Sequence, residues 1–315
     1  MSDRAPSDVE ALLEQRSAAR AVQDWATADA LRDRLAELGW ETIDGPRGSR
    51  LRARLPAVPE EEHASTLDEP ATLAASVVLL ADDHPEDLSR FLAGQRAHRP
   101  DLDWELIVVA NAPSYDLDAV LAGPSGAAGA TVRSSERLGW ADAVNLGLRR
   151  AGGAVAILLD TSLEPTGDWL APLLAAFDDP TVGIAGPWGV TTADGRQFDE
   201  APPGEVDAVE AYCLAVRREA LQAVRGFDHR FRFYRNADLD LSFAVRAAGW
   251  RALRTEPLPL TRHEHRGYAS LPPEERDRVS RRNFYRYLKH WGDRRDLLLN
   301  PGPRAGHRHA HGADG

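Results

Sequence analysis

The stretch ASVVLLA at residues 75–81 and the segment EDLSRFLAGQRAH at 86–98 that follows it decide the fold class. The first is a short apolar run typical of a strand buried on both faces, and the second has helical periodicity. The pattern repeats in WELIVVA (104–110), the helical WADAVNLGLRRA (140–151) and AVAILLD (154–160). This alternation predicts an α/β fold, a mainly parallel sheet with helices on both faces.

Composition narrows the function classes. The 315 residues carry a formal net charge of -11, which argues against DNA as a partner because non-specific nucleic-acid binding needs a positive field. No apolar run is long enough to cross a membrane, so we expect a cytoplasmic protein, with peripheral association at the inner membrane face left open. No G-x-G-x-x-G follows the first strand and no G-x-x-x-x-G-K-[ST] occurs. The sequence therefore lacks the motifs that would identify a dinucleotide-dependent dehydrogenase or a P-loop NTPase.

Changes in composition and in hydrophobic periodicity divide the chain into four parts. Residues 1–56 predict a small helical hairpin followed by a short β-hairpin, because two helical faces precede WETI and SRLRAR around a DGPRG turn. Residues 57–74 are rich in proline and acidic residues and predict a linker. Residues 75–292 form the α/β domain, and 293–315 predict a disordered tail.

Polar side chains follow the predicted strands at the points where the strands end. Asp82 and Asp83 follow the first strand, and Asn111 follows the second. TVRSSE (131–136) predicts a short third strand, and Asp160 with Ser162 lies at the end of the fourth, AVAILLD. In an open α/β sheet, ligands bind beyond the carboxyl ends of the strands. Clustered carboxylates are costly unless a cation or a positive ligand lies among them, so this edge is the predicted site.

These stretches together resemble family 2 glycosyltransferases of the GT-A fold, a Rossmann-like architecture. The resemblance spans about residues 75–292, and its most specific parts are RGFD (225–228), DLDLSFAVRAAGW (238–250) and RHEHRG (262–267). It implies inverting transfer of a sugar from a nucleotide-diphosphate donor to an acceptor, which the sequence leaves open as a glycan, a lipid-linked acceptor or a protein. It also implies a divalent cation, Mn²⁺ or Mg²⁺, that stabilises the leaving diphosphate.

Residue roles carry over from the resemblance by position. Asp238 matches the general base that deprotonates the acceptor. The cation would be held by Asp160, with Ser162, His263 and His265 as further candidates. The nucleotide sugar would be bound by the strand-end and turn residues Asp82, Asp83, Asn111, Gly139, Asn145 and Asp160.

Three positions depart from the family pattern. Ser162 stands where the second metal carboxylate is expected, Ala110 where a base-reading aspartate is usual, and Ala237 where a glutamate precedes the base. Two of these changes fall on donor binding, and the serine is a weaker cation ligand than a carboxylate. They keep open an alternative in which a catalytically degenerate GT-A domain serves as a binding or scaffold protein.

The N-terminal segment has a resemblance of its own. ADALRDRLAELGW (28–40), followed by DGPRG (44–48), is similar to the C-terminal region of cysteinyl-tRNA synthetases over about residues 8–54. None of the catalytic signature of the synthetase is present. A tRNA-associated factor is therefore a third hypothesis, but nearly balanced charges favour a hairpin that docks on the transferase domain or on a protein partner.

Overall fold

The N-terminal segment folds as the sequence predicts, as a helical hairpin followed by a β-hairpin. The computed structural model describes residues 6–302 except 23, 39, 46–47, 54–64, 123–128 and 135. Helices α1 (Ser7–Ala21) and α2 (Trp25–Glu37) pack together, and strands β1 (Trp40–Gly45) and β2 (Gly48–Ala53) pair antiparallel. Leu35 is fully buried in this module, where α2 contacts β1 and α1 contacts β2.

The rest of the chain alternates strands and helices. The helices are α3 (Pro85–Ala97), α4 (Leu117–Ala122), α5 (Trp140–Arg149), α6 (Leu170–Ala175), α7 (Arg218–Val224), α8 (Ala237–Ala247), α9 (Arg266–Ala269) and α10 (Pro273–Trp291), with 3-10 turns at Ala176–Asp178 and Arg295–Leu297. The strands are β3 (Leu73–Ala81), β4 (Trp104–Asn111), β5 (Ala130–Ser134), β6 (Gly153–Leu159), β7 (Leu163–Pro165), β8 (Val182–Gly186), β9 (Gly189–Thr191), β10 (Asp199–Glu200), β11 (Gly204–Glu205), β12 (Ala208–Val209), β13 (Cys213–Arg217), β14 (Arg251–Arg254) and β15 (Leu260–Arg262).

Eight of these strands form one central sheet in the order β11-β14-β8-β13-β6-β3-β4-β5. Strands β6, β3, β4 and β5 are parallel neighbours, and β14 is parallel to β8. Strand β13 runs antiparallel to both of its neighbours, β6 and β8. The start of β13 therefore lies at the same sheet edge as the carboxyl end of β6.

Both faces of the sheet are covered, as the apolar strands require. Along β3, Val78 packs into the core beneath α5, α7 and α8, while Val77 and Leu79 pack into the core on the opposite face, beneath α3 and α6. Helix α5 approaches the sheet closely at Gly147, where an added Cβ would lie 2.4 Å from Val78 Cγ1 and 2.7 Å from Val109 Cγ2. Cys213, the one cysteine of the chain, is fully buried in β13.

Two predicted borders differ from the structure. The described part of the predicted linker is residues 65–74. Residues 65–72 are fixed to the domain, because the buried Arg218 guanidinium donates to the backbone carbonyls of Thr66 and Glu69, and residues 73–74 already belong to β3. The predicted disordered tail is also wrong for residues 293–302. Leu298 is buried, and the Leu299 N–H donates to the Asp207 carboxylate at 2.8 Å. The rest of the tail, 303–315, lies outside the described residues.

Among the described residues, no helix is both long enough and apolar enough to cross a bilayer.

Candidate active site

Asp160 and His265 meet at the carboxyl edge of the sheet. Asp160 follows β6, and its Oδ1 accepts a 2.8 Å hydrogen bond from the backbone N–H of Ser162, which fixes the turn. Its Oδ2 lies 3.1 Å from Nε2 of His265, the residue just before α9. Burial would raise the pKa of Asp160, but the bond and charge of His265, together with the Ser162 N–H, outweigh burial and hold this pKa below its usual value.

The His265 ring is held from several sides. Its Nδ1 accepts from the backbone N–H of Tyr268 at 3.1 Å, which places the proton on Nε2, facing Asp160. Tyr234 stacks on the ring with centroids 4.5 Å apart and an interplanar angle of 14°. Burial would lower the pKa of His265, but Asp160 and the charge of Asp82 raise it on balance. The imidazole is thus held in place from two sides, with Nε2 facing Asp160.

The two aspartates after β3 have different environments. Asp82 accepts from the backbone N–H of His84 at 3.0 Å, and burial raises its pKa, with the nearby charge of Asp160 acting in the same direction. Asp83 accepts from the Ser114 N–H at 2.9 Å and from Arg137 at 2.7 Å. Burial would raise the pKa of Asp83, but the charge of Arg137 and the hydrogen bonds from Ser114 and Arg137 together lower it. Asp82 therefore faces the Asp160–His265 pair, whereas Asp83 is already engaged by an arginine.

Three other predicted donor-binding residues are engaged by the protein itself. Asn111 pairs with the backbone N–H and carbonyl of Leu138 at 2.8 and 3.2 Å and so fixes the turn before α5. Gly139 caps α5 where a Cβ would meet Arg232 at 3.1 Å. Asn145 is buried and makes two hydrogen bonds to the backbone of Phe227, at 2.7 and 2.9 Å. The contacts of Asn111 and Asn145 give these amides a bracing role rather than a free surface for a ligand.

Asp238 lies in the first turn of α8, beside the same cavity. Its Oδ2 accepts from the Ala211 N–H at 3.2 Å and its Oδ1 from the Leu239 N–H at 3.0 Å. Burial raises the pKa of Asp238, against these N–H groups and the charge of Arg235. A carboxylate with a raised pKa beside a cavity is suited to accept a proton.

The cavity that Asp160, His265 and Asp238 share has a volume of about 260 Å³. Aromatic and charged groups that the sequence did not single out complete its wall: Glu210, Tyr212, Tyr234, Arg235 and Phe284. A smaller cavity of about 60 Å³, lined by Asp82, Asp160 and His265 among others, adjoins it. Burial raises the pKa of Glu210, and the charge of Asp238 raises it further. The site thus joins an acidic and histidine-bearing end to an aromatic chamber.

The predicted cation ligands divide into two groups. Asp160, His265 and the neighbouring Asp82 offer carboxylate oxygens and an imidazole nitrogen, which fit Mn²⁺ or Mg²⁺. Ser162 is buried and is absent from the described lining of both cavities. His263 lies 2.7 Å from Glu164 on the β7–β15 ribbon. The structure therefore gathers Asp160 and His265, but not Ser162 and His263, at the cavity.

A second group of metal-ligand types lies away from this cavity. Asp228, Asp240 and His290 each offer one ligand atom within 4.8 Å of the others. Arg230 already lies among them, paired with Asp228 at 2.6 Å and with His290 Nε2 at 2.9 Å. Trp291 Nε1 donates to Asp240 at 2.8 Å. These contacts make the group an internal polar network that joins α8 to α10.

Comparison with known families decides the class. The family model for glycosyl transferase family 2 matches residues 76–258, more than half of the chain. The chain belongs to glycosyl transferase family 2. The family model for the cysteinyl-tRNA ligase anticodon binding domain matches residues 2–40. Both resemblances recognised in the sequence are confirmed.

Individual relatives agree with this division. The pre-mycofactocin glycosyltransferase of Mycobacterium tuberculosis (strain CDC 1551 / Oshkosh) is 30% identical over 165 residues, 47% of this chain and 33% of that protein. The cysteine–tRNA ligase of Salmonella agona (strain SL483) is 50% identical over 52 residues, 16% of this chain and 11% of the ligase. The chain thus spans a third or less of the length of these curated relatives.

The solved structures confirm the predicted fold. GalNAc-T7, crystallised with UDP, GalNAc and Mn²⁺, matches with a TM-score of 0.57 and 16% identity over 70% of this chain and 49% of that chain. At that identity the likeness concerns the fold alone. The mainly parallel sheet with helices on both faces is therefore the GT-A architecture predicted from the sequence.

Proposed function

We propose that this family 2 member transfers a sugar, with inversion, from a nucleotide-diphosphate donor to an acceptor hydroxyl. The observation that carries the proposal is the shared 260 Å³ cavity, which joins the Asp160–His265 pair to the Asp238 carboxylate. The two ends suit the two halves of the reaction, because the first fits a diphosphate with its cation and the second fits a hydroxyl that must lose a proton.

Asp238 is the proposed general base. Its two hydrogen bonds from backbone N–H groups fix the carboxylate, and burial keeps its pKa raised, so it takes up the acceptor proton more readily than an exposed aspartate would. The hydroxyl oxygen then attacks the anomeric carbon, the bond to the diphosphate oxygen breaks, and the configuration inverts. Aromatic rings of the chamber, such as Tyr212 and Phe284, offer stacking faces for a sugar acceptor.

Asp160, His265 and Asp82 are the residues that would hold a divalent cation. Such a cation, when bound, neutralises charge on the leaving diphosphate. Of these residues His265 is the hydrogen-bond donor, and Tyr234 keeps its imidazole ring in place by stacking.

The test combines donor binding with transfer. Thermal unfolding with UDP-, GDP- and dTDP-sugars, each with and without Mn²⁺, should show one nucleotide that stabilises the protein more when the metal is present. With that donor and an array of glycan, lipid-linked and protein acceptors, Asp238→Asn should lower transfer about 10²- to 10⁴-fold while keeping the donor-induced stabilisation.

A matched control uses another carboxylate. Asp199 is exposed on β10, so Asp199→Asn should keep both donor binding and transfer. Full transfer by the Asp238→Asn variant would contradict the assignment of the base.

One observation favours a second candidate function, a binding or scaffold protein without turnover. The third position of Asp160-Thr161-Ser162 carries a buried hydroxyl, which among the described residues does not line the cavity. Saturable binding of a donor without product on any acceptor of the array would favour this candidate. The N-terminal hairpin would then be its interaction arm, and a gel shift of tRNA by the full-length chain would instead favour the tRNA-associated alternative.

A further inference from the structure

A buried amide on helix α10 holds the loop that leads into α8. Asn283, on α10, is fully buried, and its Nδ2 donates to the backbone carbonyl of Phe233 at 2.7 Å and to that of Arg235 at 2.9 Å. Both N–H groups of the side chain are therefore used to hold two carbonyls of one loop. A geometry of this kind fixes the loop in orientation as well as in distance.

A second bond runs in the opposite direction. Asn236 donates through Nδ2 to the backbone carbonyl of Ser280 on α10, at 3.2 Å. Its backbone has a φ of +64°, which turns the chain into α8. A non-glycine residue in this conformation is strained, and the contacts to α10 from both sides oppose its relaxation.

The loop held in this way carries much of the wall of the proposed active site. Tyr234 stacks on His265, Arg235 lines the cavity, and Asp238 follows in the first turn of α8. Asn283 is absent from the described lining of the cavity. Its influence on the site therefore passes through the loop 233–236.

We propose that Asn283 is a positioning residue, which sets the stacking of Tyr234 on His265 and the placement of Asp238 by holding the carbonyls of Phe233 and Arg235. The catalytic part of this proposal rests on the function proposed above, whereas the placement of the loop does not. Alanine removes both donors. Serine keeps one hydroxyl donor, so Asn283→Ser should fall between the wild type and Asn283→Ala in every measurement.

The first measurement reports the position of the loop and needs no substrate. A ring stacked face to face on Tyr234 has its Hε1 resonance shifted upfield by the ring current, and His265→Gln assigns that resonance in protein labelled at histidine Cε1. In Asn283→Ala the upfield shift should be lost, because the loop is free to leave His265. Leu298→Ala is the control for lowered stability, since Leu298 packs with Tyr287 of α10 in a cluster that does not include the loop.

The second measurement gives the steady-state constants kcat and KM for transfer. In Asn283→Ala, kcat should fall about 10- to 100-fold, the order of loss expected when a catalytic group is displaced by about 1 Å. The donor KM should change less than kcat, because Asp82 and Asp160 follow other strands and only His265 loses its support from Tyr234. Leu298→Ala should keep the wild-type kcat.

The outcomes separate the two proposals. An unmoved His265 resonance in Asn283→Ala, with the same kcat as Leu298→Ala, would overturn the positioning role. If the wild type transfers no sugar, the function proposed above fails, and the His265 resonance alone decides the role of Asn283. Loss of the upfield shift in Asn283→Ala, with an intermediate shift in Asn283→Ser, would still support that role. An equal loss of the upfield shift in Leu298→Ala would show that lowered stability alone frees the loop, and it would count against the proposal.

Discussion

Replacing Asn145 by alanine should destabilise the domain without weakening donor binding. The side chain is buried on α5 and satisfies the N–H and the carbonyl of Phe227, and it packs so closely that a Cβ on Gly226 would lie 2.5 Å from its Oδ1. Two buried groups left without partners cost about 1–3 kcal/mol each, or about 4 kcal/mol together. At about 2–4 °C per kcal/mol, the melting temperature should fall by about 8–16 °C.

The assay compares melting temperature with donor affinity. Arg149→Ala, an exposed change on the same helix, is the control and should alter stability by no more than about 0.5 kcal/mol. The affinity of Asn145→Ala for the stabilising nucleotide, measured by calorimetry below its melting temperature, should equal that of the wild type. An unchanged melting temperature with lost nucleotide affinity would refute the reasoning and restore the sequence-based role of Asn145.

Three other predictions concern pH, packing and the C-terminal segment. The kcat for transfer should rise with pH through a pKa above that of an ordinary aspartate, since burial raises the pKa of Asp238 and the base must be ionised; an acid limb at the ordinary value would contradict this. Gly147→Ala should lower the midpoint of urea unfolding by the equivalent of about 1–3 kcal/mol, because the added Cβ would press on Val78 and Val109; an unchanged midpoint would argue against close packing there. Asp207→Ala should make residues 295–302 sensitive to proteolysis, since the buried carboxylate accepts from the Leu299 N–H, and a digestion pattern like that of the wild type would disprove this anchor.

The strand-end residues were predictable from the sequence because one rule governs them. Parallel strands bring their carboxyl ends to one edge, so Asp82 and Asp160 meet there although 78 positions separate them in the chain (160 minus 82). The same rule did not distinguish a side chain that faces the cavity from one that braces a turn. Asn111 ends β4 at this edge, yet its amide is used by Leu138.

The residues that the sequence did not reveal lie on elements whose direction or packing the pattern does not encode. Glu210 and Tyr212 precede β13, and they reach the catalytic edge because this strand runs antiparallel to β6. Asn283 occupies a polar position in a highly charged helix, where nothing in the local sequence indicates burial. Only the packing of α10 against the loop 233–236 shows what its amide does.

The burial of Cys213 makes the chain a convenient subject for thiol chemistry. Its side chain lies in the middle of the central sheet, and burial raises the pKa of the thiol far above its ordinary value, so the native protein offers reagents almost no thiolate there. A cysteine introduced at an exposed position will therefore take a spectroscopic label alone. The rate at which Cys213 itself is modified would report how often the central sheet opens, and so how often the centre of the domain unfolds.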